Sequence, residues 1–153
     1  LALSNNTVSL SAGTKNPALI FKGKDTYDIS EYGWNSNDGN YTHRVQRNGV
    51  DVLTFIETNA PTEIFEQYDL AWTAYAIVPQ GNNPDDFNLT LHFNYQPWEV
   101  EDYRDVNGTL LVEHVSTFRF TQIGDTIRLK LCISDANRSG TFDFAFCKEK
   151  VVY

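Results

Sequence analysis

Methionine is absent from this 153-residue chain, which begins at Leu1. Translation needs an initiator, so the sequence reads as a piece of a longer protein, with any targeting or anchoring segment upstream of Leu1. Long apolar runs are missing too. The longest, Leu70 to Val78, is interrupted by Thr73 and falls well short of the roughly 20 residues a membrane-spanning helix needs. Basic charge is scarce: 12 Lys and Arg stand against 20 Asp and Glu, for a net charge of −8, with no Lys/Arg cluster. A phosphate backbone would be repelled, so direct nucleic-acid binding by this domain is not expected. There is no G-x-S-x-G, H-E-x-x-H, P-loop or G-x-G-x-x-G pattern, the signatures that hold a nucleophile, a zinc ion or a phosphate. The sequence therefore predicts no catalytic residue, no metal and no cofactor.

What the chain has in quantity is aromatic residues: ten Phe, eight Tyr and three Trp, 14% in all. Such residues favour strands, and the length suits one domain with its own core, spanning 1–153. Residues 1–16, rich in Ser, Thr, Asn and Gly, read as an extended or mobile lead-in. Pro17 to Lys22 reads as a strand, and Tyr32 to Asn40 as a loop. Asn48-Gly49 is the preferred pair for a type I′ turn; it would join Tyr41–Arg47 to Val50–Thr58 and set Val45 opposite Val52. Thr62 to Tyr68 suggests a helical turn. Leu70 to Val78 reads as a buried strand ended by Pro79, and Phe87 to Tyr95 as an alternating strand. Leu110 to Val115 is apolar but ambiguous between helix and strand. Gly124-Asp125 suits a two-residue II′ turn that pairs Phe120 with Leu129, Phe118 with Leu131 and Arg119 with Lys130. Thr141 to Tyr153 closes the chain as a strand. The expected class is mainly β, antiparallel, with little helix.

Three groups of residues invite a chemical reading. The histidines, His43, His92 and His114, lie in unrelated segments. His43 and His92 suit strand surfaces, and His114 suits packing or an interface. Glu99, Glu101, Asp102 and Asp105 could offer hard oxygens to Ca²⁺, but they lack the glycine-punctuated spacing of an EF-hand loop, so a solvated loop is expected. Cys132 and Cys147 are the only cysteines. Folding about Asn137–Gly140 would bring them together on one strand face, with Ile133 near Phe146. A disulfide there would stabilise by about 3 kcal/mol in the chain-entropy model and would imply an oxidising compartment. The alternative is two buried thiols.

Asn-x-Ser/Thr triplets occur at Asn5, Asn40, Asn88, Asn107 and Asn137. Asp38, Asp86, Asp105 and Asp135 stand two residues before the last four. This pattern resembles the extended acceptor sequence of bacterial oligosaccharyltransferases, and it predicts N-glycosylation at Asn40, Asn88, Asn107 and Asn137. The competing reading is that Asp and Asn cluster because both form turns.

From the first hairpin onward, "DVLTFIETN" (Asp51 to Asn59), "YQPWE" (Tyr95 to Glu99), "LLVEHVSTFRFTQIGDTIRLKLCI" (Leu110 to Ile133) and the terminal "CKEKVVY" carry a family likeness. The chain resembles a minor pseudopilin or type IV pilin-like protein, nearest to the J-type minor pseudopilins of type II secretion. The apolar N-terminal helix that defines pilins is missing from this chain. The resemblance implies a β-rich pilin-like headpiece in a periplasmic pseudopilus or short pilus, or at the cell surface. The missing helix would anchor the full-length protein in the inner membrane. Other minor pseudopilins or pilins would be its partners, in tip assembly for type II secretion or DNA uptake. The rival expectation, from composition alone, is an extracellular carbohydrate-binding or adhesion module in which Trp34, Trp72 and Trp98 form an exposed stacking stripe.

Overall fold

The computed structural model of the chain describes residues 8–22, 41–56, 61, 63–124, 126–134 and 145–152. Its strands are β1 (Ala18–Lys22), β2 (Thr42–Asn48), β3 (Val52–Phe55), β4 (Gln67–Ala71), β5 (Ala74–Asn83), β6 (Asp86–Tyr95), β7 (Thr109–Ile123), β8 (Thr126–Ser134) and β9 (Ala145–Val152). They form a four-stranded sheet in the order β3-β2-β1-β4 and a five-stranded sheet in the order β5-β6-β7-β8-β9. The only helical elements among the described residues are single 3-10 turns at Pro97–Glu99 and Tyr103–Asp105. The protein is mainly β, as the aromatic-rich, alternating sequence predicts. No helix among the described residues is long and apolar enough to cross a membrane.

The chain divides into two compact units, Leu1–Ala76 with His92–Asn107, and Ile77–Leu91 with Gly108–Tyr153. In the first, β1 is central and pairs antiparallel with both β2 and β4. Pairing on both edges satisfies the backbone of β1, and its side chains are covered as well: Ala18, Leu19 and Phe21 are core residues with Val45, Tyr41, Tyr95 and Trp98. Residues 8–16, predicted as part of a lead-in, are tied to this unit. Val8 is fully buried, and the Arg47 amide donates to the Leu10 carbonyl at 2.8 Å. In the second unit the core is smaller, with Leu89, Val115 and Cys132 buried.

Three sequence readings need correction. The first hairpin pairs Asn48 with Val52 and Val45 with Phe55, not with Val52. Gly49 takes φ of 79° and opens a three-residue connection, 49–51, rather than serving as half of a two-residue turn. An odd change of register moves every side chain of the second strand to the other face. Here it places Phe55 edge-on to His43, ring centroids 5.6 Å apart, and leaves Val50 exposed at the tip. Leu70 to Val78 is not one strand. It breaks at Trp72-Thr73 into β4 and β5, which belong to different sheets. Pro79 does not end β5 but lies inside it, tolerated because β5 is an edge strand, where a missing N–H costs no ladder bond. Finally, residues 63–66 hold no helical turn, and β4 begins at Gln67.

The second hairpin has the register read from the sequence. Phe118 pairs with Leu131, Arg119 with Lys130 and Phe120 with Leu129. Gly124 has φ of 56°, a conformation that its missing Cβ makes cheap. The ambiguous segment Leu110 to Val115 is strand, the first part of a 15-residue β7.

Candidate functional site

The polar residues that looked most like chemistry are spent on holding the first unit together. Trp98 is 5% exposed, and its Nε1 donates to the Asn16 carbonyl at 3.0 Å. The Asn16 amide in turn donates to Glu99 Oε1 at 3.3 Å, and Glu99 Oε2 meets Arg44 Nη1 at 3.5 Å. Glu101 pairs with Lys15 and accepts from the Gln96 amide at 2.9 Å. Asp102 and Asp105 form a capping box on the second 3-10 turn: Asp102 accepts from the Arg104 amide, and Asp105 accepts from the Asp102 amide. Glu99 and Glu101 are thus partly covered and paired across the unit, unlike the solvated loop expected of them, whereas Asp102 and Asp105 are exposed as expected. Among the described residues no three His, Cys, Asp or Glu side chains group as metal ligands would.

The three histidines occupy three separate settings. His43 is buried, not on a surface, with its ring between those of Phe21 and Phe55. His92 is buried as well. Its Nδ1 faces the Val106 carbonyl at 3.1 Å, so that nitrogen carries the proton, and Tyr103 packs against the ring edge-on. His114 is half exposed and pairs with Asp86 at 3.1 Å, both on the surface. Strand alternation misled the reading of His43 and His92 because it says which residues share a face, not which face is covered.

Burial also breaks the proposed Trp stripe. Trp98 is inside and Trp72 is partly covered, while Trp34 lies outside the described residues. Tyr95, fully buried, has its pKa pushed up to about 12, first by burial and then by the nearby Asp102 carboxylate and Tyr103. Charge at that phenol is disfavoured, which suits a structural position.

The second unit presents something different. Cys132 and Cys147 face each other across β8 and β9 and form a disulfide, with Ile133 opposite Phe146 as read from the sequence. Following the registers across β7, β8 and β9 gives rows of side chains on one face. They are Phe118, Leu131, Lys148; Phe120, Leu129, Lys150; and Gln122, Ile127, Val152, with Ile133 and Phe146 adjoining. The opposite face carries Thr117, Arg119, Thr121, Arg128, Lys130 and Glu149, with Arg128 and Glu149 paired at 3.0 Å. The alternation was legible, yet the apolar face it defines is not interior. Phe120 is 70% exposed and Phe146 73%, and Ile127 and Val152 are exposed too. Exposed apolar side chains in adjoining rows are uncommon on the surface of a monomeric domain.

Among the described residues β9 is the last strand in its sheet, and no described strand pairs with its outer edge. Lys148 and Lys150 lie on the apolar face of that edge strand, opposite Leu131 and Leu129, and both are exposed. No carboxylate belongs to this face among the described residues. Sequence reasoning missed these two lysines as site residues; the signal was an alternation of Phe146, Lys148, Lys150 and Val152 on one face.

Of the predicted acceptor asparagines, Asn88 is in β6 and Asn107 is in the exposed coil before β7. Asn40 and Asn137 lie outside the described residues, as does the remaining triplet at Asn5. Compared with protein-family models, with curated proteins and with solved structures, the chain matches none.

Proposed function

We propose that this chain is the β-rich headpiece of an exported structural subunit, of the minor pseudopilin kind, and that it works by docking a neighbouring subunit rather than by catalysis. The observation that carries this reading is the exposed apolar face of β7, β8 and β9, with Phe120 and Phe146 at its most accessible points. The disulfide between Cys132 and Cys147 supports export to an oxidising compartment, periplasmic or at the cell surface. In the full-length protein an N-terminal helix would hold the headpiece at the inner membrane.

The chemistry of the face selects its partner. An apolar strip bordered by Lys148 and Lys150 fits a partner surface that is apolar and fringed with carboxylates. Edge pairing with a second copy is disfavoured. Antiparallel pairing of β9 with itself, centred on Lys148, Glu149 or Lys150, sets like charges directly opposite each other. A different subunit of the same filament is therefore the occupant, and it would help build the tip of a short fibre serving protein secretion or DNA uptake.

The test is co-elution in gel filtration with headpieces of sibling minor subunits from the same source, using the wild-type chain and a Phe120→Glu, Phe146→Glu double variant. Wild type should form a stable complex that the double variant loses while remaining folded. Complex formation that survives both substitutions, or no complex with any sibling headpiece, would overturn the proposal.

A further inference from the structure

The triplets at Asn88 and Asn107 look equivalent in sequence, each with an aspartate two residues earlier and a threonine two residues later. The fold separates them. Asn88 sits inside β6, between β5 and β7, and is only partly exposed. Its threonine, Thr90, is 5% exposed, and the hydroxyl donates to the Val78 carbonyl at 3.2 Å. Its aspartate, Asp86, is held against His114. The second triplet is more open, although its aspartate, Asp105, accepts from the Asp102 amide. Asn107 and Thr109 are exposed, Gly108 between them adds backbone freedom, and Asn107 itself lies in coil between the 3-10 turn ending at Asp105 and the start of β7.

A transferase must draw the acceptor segment out as a single extended stretch and reach both the asparagine amide and the hydroxyl two residues on. At Asn88 that requires pulling a central strand out of its sheet and breaking the ladder bonds on both sides. At Asn107 it requires loosening the last residue of a single 3-10 turn, with the Asp105–Asp102 and His92–Val106 hydrogen bonds, and displacing coil and the first residue of a strand. We infer that, of the two triplets within the described residues, Asn107 is the N-glycan acceptor of the folded chain, and that the Asn88 triplet is silent once β5, β6 and β7 have paired. The donor is an oligosaccharide joined through its anomeric carbon to a lipid pyrophosphate. Asn107 Nδ2 forms the new bond to that carbon, the carbon–oxygen bond to the pyrophosphate breaks, and the pyrophosphate leaves with the bonding electrons. The amide proton passes to a base of the transferase. This requires export but not the docking face proposed above, so either proposal can fail alone.

The test treats the folded, oxidised chain with a purified bacterial oligosaccharyltransferase and its lipid-pyrophosphate oligosaccharide, in an Asn5→Gln, Asn40→Gln, Asn137→Gln background that leaves two triplets. Peptides spanning Asp86–Thr90 and Asp105–Thr109 serve as controls. Both peptides should accept glycan, whereas the folded chain should gain a single glycan mass that Asn107→Gln abolishes. Glycopeptide mapping of the unsubstituted chain gives the same readout if the background folds poorly. A glycan on Asn88 of the folded chain, a bare Asn107, or refusal of the Asp105–Thr109 peptide would each overturn the inference.

Discussion

The two units of this protein are held together differently. The first buries side chains around β1 and closes its polar groups on one another: Trp98 on Asn16, Asn16 on Glu99, Glu99 on Arg44. The second keeps a small core at Leu89, Val115 and Cys132 and extends three strands whose side chains are largely exposed. Strand pairing and one disulfide do there what burial does in the first unit. The contrast teaches that the surface best suited to meet a partner is the one least needed for the chain's own core.

That contrast can be broken from either side. The largest effect should come from Trp98→Ala, which leaves a large hole in the first unit and orphans the Asn16 carbonyl. A loss of about 3–5 kcal/mol is expected in denaturant unfolding. Trp98→Phe should lose less, since it refills most of the volume without restoring the hydrogen bond. Next, reducing the Cys132–Cys147 bond, or Cys132→Ser with Cys147→Ser, removes a crosslink with a sequence separation of 15 and should cost about 3 kcal/mol. Amide exchange should speed up in β8 and β9 while β1 and β2 stay protected. Equal loss of protection in both units would mean that the two are not separately stabilised.

A smaller effect is set by pH. The Tyr95 phenol has its pKa raised from 10.0 to about 12 in the folded protein. The folded state therefore holds that proton more tightly than the unfolded state does. Its contribution to stability is complete below pH 10 and is lost as pH rises towards 12, on the order of 2 kcal/mol. Tyr95→Phe should flatten the stability profile over that interval, and an unchanged slope would show that other groups govern it. The smallest effect on stability belongs to the docking face. Phe120→Ser and Phe146→Ser should each change unfolding by no more than about 0.5 kcal/mol because both side chains are already in water. If the face docks a neighbour as proposed, the same substitutions should abolish that binding, and such a disparity between stability and binding would mark a surface kept for a partner.

Much of the second unit was readable along the chain. Gly124 fixes a turn locally, and with alternating Phe and Leu on either side only one register puts all of them on one face; that is the register found. The disulfide followed from the same alternation carried into β9. The first unit was less legible. Asn48-Gly49 is a strong turn signal, but the register of β2 with β3 differs from the one it suggests and brings Phe55 against His43. The break at Trp72-Thr73 had no local marker. Thr73 Oγ1 receives the Asn94 amide at 2.8 Å, a contact made across 21 residues.

By itself, then, the sequence determined the class of fold, the Gly124 hairpin, the cysteine pair and the triplets an oligosaccharyltransferase could read. These depend on near neighbours and on strand period, which are local properties of the chain. Only the tertiary structure decided which faces are covered: that Trp98, His43 and His92 go inside, that the acidic run is spent on Lys15, Arg44 and backbone amides, and that Phe120 and Phe146 remain outside. Burial depends on what packs against a residue from far along the chain, and alternation cannot report that.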